Sequence, residues 1–217
     1  ADKIENSEEL FLGGQRIDQF HNTSLDADTY WLELLTRDPG NIEANTGMGL
    51  LDLRCARYIS AEQHFRKAID RLTFQFTTPK NAEPFYYLGV TLKGQGKNDE
   101  AFTAFYKAAW SQEWKAPSYY SLAEIASARN EFSSALNYVN QSLDANALNI
   151  RAYNLKAAIL RHLDRPDEAL QVLAFASHKT DPLDVRLMAE EWLTSKSVKV
   201  TGTLFQTMNN FQTTAQE

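Results

Sequence analysis

Few side chains in this sequence are of a type to do chemistry, and none is well placed for it. Four histidines, His21, His64, His162 and His178, would make metal ligands or a general base if two fell one turn apart on a helix or beside a carboxylate. They are scattered, and no spacing puts two on one helix face. Cys55 is the single thiol. With no histidine within a turn it lacks the base that would activate it, so a buried, inert thiol is expected. Gly94-Gln95-Gly96 has paired glycines, but no strand precedes them as a phosphate loop would require, and they mark a turn. Asp99-Glu100 and Asp167-Glu168 open helical stretches, where carboxylates suit the positive end of the helix and need no acid–base role. No nucleophile, base and oxyanion donor converge. A non-enzymatic chain without cofactor or metal is the expectation.

Composition narrows the partners. The net charge is −6 over 217 residues and the pI is near 5.3, whereas nucleic-acid binding needs a basic footprint to neutralise phosphates. No apolar run approaches the roughly 20 residues that cross a bilayer. Neither nucleic acid nor membrane is therefore expected as a partner. One cysteine can form neither an internal disulfide nor a thiolate metal cage. The opening Ala1-Asp-Lys-Ile-Glu-Asn6 has no charged n-region followed by an apolar h-region, and no initiator methionine. The chain reads as a segment of a longer protein. A cytoplasmic location is expected, and a signal peptide on the parent stays compatible with it.

What orders the chain is a recurring alanine: Ala27, Ala61, Ala101, Ala135 and Ala169. Four similar phrases begin there, Ala61-Glu-Gln-His-Phe-Arg-Lys-Ala68, Ala101-Phe-Thr-Ala-Phe-Tyr-Lys-Ala108, Ala135-Leu-Asn-Tyr-Val-Asn-Gln-Ser142 and Ala169-Leu-Gln-Val-Leu-Ala-Phe-Ala176. Three of the four intervals are 34 residues, the period of a helix–turn–helix solenoid. With that alanine as the twentieth position, the repeats are 8–41, 42–75, 82–115, 116–149 and 150–183. Residues 76–81 form an insertion that lengthens a loop or adds a helical turn. The eighth position is Gln15, Gly49, Gly89, Ala123 and Ala157, and the twenty-seventh is Leu34, Ala68, Ala108, Ser142 and Ala176. The twenty-fourth is always large: Trp31, Phe65, Phe105, Val139 and Leu173. Small residues at 8, 20 and 27 facing a bulky one at 24 describe two antiparallel helices pressed together and stacked on the next pair. Gly94–Asn98, Arg129-Asn130 and Asp164–Pro166 fall at the turn inside a repeat, with Asn98 and Asp164 expected as helix caps.

These positions resemble the tetratricopeptide repeat, with small residues at 8, 20 and 27, an aromatic near 4 (Phe11, Phe85, Tyr119 and Tyr153, with Asn45 the exception) and Pro39 at position 32 of the first repeat. The resemblance covers about residues 8–183; Gln15 is its weakest point. It implies an all-α, right-handed α–α superhelix over 8–195. A helix at 184–195 would cap the last repeat, as solenoid ends require. Residues 196–217 would be a linker and a partial, truncated helix, with Leu204, Phe205, Met208 and Phe211 at helical spacing. That last helix is a candidate for self-association. A narrower likeness, in Glu83-Pro-Phe-Tyr-Tyr-Leu-Gly89, Ala104-Phe-Tyr-Lys-Ala-Ala-Trp110 and Asn154-Leu-Lys-Ala-Ala158, is to a bacterial family of largely unassigned function. In that family such repeats follow a β-rich, sugar-mutarotase-like region.

The tetratricopeptide resemblance further implies that the first helix of each repeat lines a concave groove. The expected groove residues are Leu12, Arg16, Leu50, Arg54, Tyr86, Val90, Lys93, Tyr120, Glu124, Arg151, Asn154, Arg161 and His162. Such a mixture suits a peptide or docked helix anchored by rings, with Tyr86 and Tyr120 as anchors. Alternatively these tyrosines pack between helices. The carboxylate clamp by which such repeats hold chaperone C-termini is not matched. Its positions here carry Leu12, Arg16, Gly47, Glu83 and Tyr87, or Tyr86, Val90, Ser121, Arg151 and Leu155. Trp110 and Trp114, placed about a turn apart near the end of one helix, would either stack on carbohydrate or fill core. The function expected is a non-catalytic protein–protein interaction scaffold binding a peptide or helix of a partner. The alternative is an accessory arm of a larger carbohydrate-related bacterial protein, contacting its own β-rich domain.

Overall fold

The computed structural model describes residues 1–20, 25–75 and 81–197. Among them are eleven helices and no strand: α1 (Ser7–Gln19), α2 (Ala27–Arg37), α3 (Ile42–Arg54), α4 (Tyr58–Thr73), α5 (Glu83–Gly94), α6 (Asn98–Ala108), α7 (Gln112–Ala128), α8 (Phe132–Ala145), α9 (Ile150–His162), α10 (Pro166–Lys179) and α11 (Val185–Ser197). They form two compact bodies, one ending at Ser118 and one beginning at Tyr119. The division falls inside α7, beside Pro117. In the N-terminal body α1 packs on α2, α3 on α4 and α5 on α6, while α2–α3 and α4–α5 contacts stack the pairs. In the C-terminal body α9 packs on α10, with α8 on one side and α11 on the other. His21, most of the 76–81 insertion and the expected helix at 204–211 lie outside the described residues.

Four of the turns inside repeats lie wholly in the described residues and share one geometry. Ala56, Gly96, Asn130 and Asp164 have φ of 55°, 77°, 61° and 59°. The next residue's N–H, on Arg57, Lys97, Glu131 and Arg165, reaches back to the carbonyl of Asp52, Leu92, Ala126 and Leu160 at 2.8–2.9 Å. A left-handed residue closed by such a bond ends a helix and redirects the chain within two residues. This corrects the capping expected of Asp164 and Asn98. Asp164 is the left-handed residue itself, and Asn98 is already the first residue of α6. Between repeats, side-chain caps do the work: Asn41 Oδ1 accepts from Ala44 N–H at 2.9 Å and Asn149 Oδ1 from Ala152 N–H at 3.3 Å.

Packing inside each pair rests on a close approach. A Cβ on Gly49 would come within 2.7 Å of the Phe65 ring, and one on Gly89 within 2.7 Å of Phe105. In the first pair the partner of Trp31 is Gly14, where a Cβ would meet Nε1 at 2.5 Å. Gln15, taken as the eighth position, is thus one residue out. Gly14 stands thirteen residues before Ala27, whereas Gly49 and Gly89 stand twelve before Ala61 and Ala101, so α1 presents Gly14 to the indole. Ala123, Ala157, all five alanines at position 20 and all five residues at position 27 are buried.

Single side chains fasten the linkers. Buried Asn45 donates from Nδ2 to the carbonyls of Pro39 and Asn41 at 3.0 and 2.8 Å, and Tyr153 Oη donates to Ala147 O at 3.1 Å. Asn45 thus does with an amide what Tyr153 does with a phenol at the same position. Glu62 joins α4 to the α5–α6 turn, accepting from Gln95 at 2.7 Å and Lys97 at 2.9 Å and pairing with Arg66 at 2.8 Å. Burial raises its pKa, but these donors prevail and hold the carboxyl at about 2. Trp110 and Trp114 do not share a helix: α6 stops at Ala108, Trp110 lies in the turn and Trp114 in the first turn of α7. Backbone bonds from Trp110 N–H to Lys107 O and from Ser111 N–H to Ala108 O close that turn early.

Two expectations follow for stability. Ala56→Gly relieves a left-handed Cβ and raises the unfolding free energy by about 1 kcal/mol, whereas Gly89→Ala lowers it by about 1–3 kcal/mol through overpacking against Phe105; urea titration of both reads the two signs. Glu62 contributes stability above its unfolded pKa of 4.5 that is lost as pH falls towards about 2, so Glu62→Gln flattens the acid side of the stability–pH curve over that window.

Candidate functional site

The first helices carry the expected groove residues, and in the N-terminal body packing has claimed several. Tyr86 stacks on Trp114 with centroids 4.9 Å apart and planes at 29°, meets Tyr87 edge-on at 5.3 Å and lies 5.6 Å from Phe105. The tyrosine is half-buried and belongs to an aromatic seam between helices, the packing alternative for this residue. Trp114 is therefore core, and only Trp110 is exposed. The Trp114 Nε1–H is buried without an acceptor among the described residues. Burial raises the Glu83 carboxyl, and Glu113 adds to the effect against an opposing bond from Asn81. Leu50, Val90 and Lys93 are partly covered.

The rotation of α1 moves Leu12 and Arg16. Both are exposed, and Arg16 lines a cleft of about 500 Å³ with Gly13, Ile17, Phe20, Leu25 and Tyr30, turned towards α2 rather than α3. Asp18 takes the place facing α3, where it pairs with Arg54 at 2.5 Å. The exchange was invisible to a register counted from Ala27. The signal available was Gly14 itself, the glycine next to the position that needed one. Cys55, expected buried, is exposed at the end of α3.

The C-terminal body assembles a polar face on α7, α9 and α11. Burial pushes the Tyr120 phenol up to about 12, helped by the charge of Glu124 and a hydrogen bond to it, while Arg151 and Arg186 pull the other way. At neutral pH Tyr120 is thus a neutral donor to the Glu124 carboxylate, with two guanidinium groups in electrostatic reach. Arg161 Nε donates to buried Glu190 Oε1 at 2.8 Å. Arg186 grips Asp184 at 2.6 Å, and this bond, with backbone N–H donors at the start of α11, lowers the Asp184 carboxyl. Asn154 Oδ1 is buried without a partner among the described residues. Asp184, Arg186 and Glu190 went unnamed in the sequence because α11 reads as a cap. The pointer to them was the 34-residue count, which begins anew at Asp184. His162 leaves this face: its ring stacks on Phe132 of α8 at 4.8 Å and 5°.

This face is made of matched charges and amide and phenol groups. It offers hydrogen bonds and ionic register to a ligand. Among the described residues, no three of His, Cys, Asp and Glu are grouped to hold a metal ion, and no helix is long and apolar enough to cross a membrane.

No family model matches the sequence. Solved structures are similar over most of its length. PilF of Pseudomonas aeruginosa is 17% identical with a TM-score of 0.73, covering 89% of this chain and 84% of that one. PilW, a widely conserved type IV pilus biogenesis factor, is 20% identical with a TM-score of 0.69, covering 85% of this chain and 83% of that one. YrrB, a tetratricopeptide-repeat protein with an unusual peptide-binding site, is 16% identical with a TM-score of 0.68, covering 85% of this chain and 91% of that one. At these identities the likeness shows the fold: the chain is an all-α solenoid of tetratricopeptide helix pairs.

The Tyr120 environment has a direct readout. Tyrosinate absorbance should show one phenol titrating near 12, missing in Tyr120→Phe and returned towards the ordinary value of 10.0 in Glu124→Gln. Because the folded pKa is raised, Tyr120 supports folding below pH 10 and that support fades as pH climbs towards 12.

Proposed function

We propose that this chain is a non-catalytic scaffold that holds a peptide or helix of a partner protein against its first-helix faces, with the C-terminal body's face of Tyr120, Glu124, Arg151, Asn154 and Arg161 as its principal contact. The observation that carries this reading is the buried, unpartnered Asn154 Oδ1, three residues along α9 from the exposed Arg151 that acts on the Tyr120–Glu124 pair. A buried acceptor without a donor costs free energy, and the N–H of a bound segment would supply that donor. Arg151 and Arg161 would fix register through carboxylates. YrrB, of the same fold, has a peptide-binding site, which supports a peptide-like ligand.

The second reading is an accessory arm in a larger bacterial polypeptide, contacting a β-rich domain of its own chain. It is favoured by the segments 83–89, 104–110 and 154–158. The two readings differ in where the partner is encoded, and the coding sequence upstream of Ala1 distinguishes them.

A pull-down from the source cell's lysate tests the first reading. Arg151→Glu and Asn154→Ala should each reduce recovery of a specific partner at least about tenfold, as residues central to an interface do, while unfolding midpoints stay close to the parent's. No partner, or one indifferent to both substitutions, decides for the arm.

A further inference from the structure

The C-terminal body has a second surface that the first-helix reading leaves unused. A cleft of about 630 Å³ runs between α8 and α10, with α9 at its base. Its apolar wall is Leu136 and Leu143 from α8 and Val172 and Phe175 from α10. Phe175 is 53% exposed, and its ring is held by an edge-on contact with Tyr153 at 5.9 Å. On α10 the lining runs from Glu168 to Lys179, about 16 Å of helix at 1.5 Å per residue. That is room for about five residues of extended chain.

The charges in the cleft are unevenly matched. Arg165 and Glu168 satisfy each other through two bonds of 2.6 Å. Lys156, half-buried on α9, has no carboxylate within salt-bridge distance among the described residues; Asp144 and Glu168 act on it only from further off. Lys179 lies with Nζ 5.2 Å over the Phe175 ring and is likewise unpaired with any carboxylate there. Burial already lowers the Lys156 pKa. Asp144, which also lines the cleft, and Glu168 favour the ammonium from a distance, but its burial outweighs them, and the packing comes from the methylene stem, which a methionine would match. An apolar ligand would strand the ammonium, and a basic one would add to its cost. A carboxylate completes it.

We propose that the α8–α10 cleft binds a short acidic segment of a partner polypeptide, its apolar side chains against Leu136, Leu143, Val172 and Phe175 and its carboxylates on Lys156 and Lys179. This surface is separate from the first-helix face and is tested separately.

The probe is a fluorescein-labelled heptapeptide, Glu-Leu-Glu-Phe-Glu-Leu-Glu, titrated by anisotropy against the full 217-residue chain, with a second peptide carrying Gln in place of Glu. The acidic peptide should bind, and the Gln peptide at least about tenfold more weakly. The double variant Lys156→Met/Lys179→Met should weaken the acidic peptide by a similar factor while its urea midpoint is unchanged or higher. Arg151→Glu, on the other face, should leave this binding as it is. The proposal is overturned by three results: no binding of the acidic peptide, equal binding to parent and double lysine variant, or a loss that appears in Arg151→Glu instead. It is overturned too if the parent is a dimer that the double lysine variant converts to monomer and the peptide leaves intact, since a second copy would then occupy the cleft.

Discussion

The close approach of paired helices at a very small residue, glycine in the N-terminal body and Ala123 or Ala157 in the C-terminal one, is what the rest of each body depends on. Phe65 and Phe105 lie flat against Gly49 and Gly89, where any larger residue would push the helices apart. Once the pair is this tight, the residues that complete its interface must be small as well, and the alanines at 61, 101, 135 and 169 and at 68, 108 and 176 are buried for that reason. Close packing leaves such interiors little tolerance. It also sends the larger side chains outward along each first helix, where they become either inter-repeat seams or ligand-facing surface.

The same constraint explains the departures from strict repetition. Trp31 is larger than the side chain at the same place in every later repeat. It packs across Gly14 of α1 and also against Gly47 of α3, tying two pairs together with one indole. Turning α1 to present Gly14 carries Arg16 away from α3 and brings Asp18 to Arg54. A one-residue difference in the spacing from glycine to Ala27 thus rewrites which charges the surface displays. At the other turns, the left-handed residues Ala56, Asn130 and Asp164 are not glycine. Asn130 and Asp164 are of the types that adopt this conformation readily, whereas at Ala56 the packing on either side imposes it.

Charge is distributed along two faces of the C-terminal body. On the first-helix side, Tyr120, Glu124, Arg161 and Glu190 are engaged with one another. A ligand there must exchange existing bonds for new ones, a contest that favours selectivity over raw affinity. In the α8–α10 cleft the apolar wall is preformed and Lys156 has no salt bridge to exchange among the described residues. The two surfaces therefore suit ligands of different character on one scaffold.

The 34-residue period, the small–large–small pattern and the turn residues determined the helical class, because they encode local periodicity and van der Waals size, and both survive without knowledge of the partner surface. Tertiary structure alone decided the rest. Tyr86 became packing because Trp114, arriving in the first turn of α7, stacks on it. His162 was drawn to Phe132, and Gly14 replaced Gln15 because an indole needed the space. The cleft holding Lys156 draws on three helices, α8, α9 and α10, whose side chains meet only after the pairs have stacked. Size and period are properties of a segment. Orientation, burial and the pairing of charges are properties of the neighbours that a segment finds.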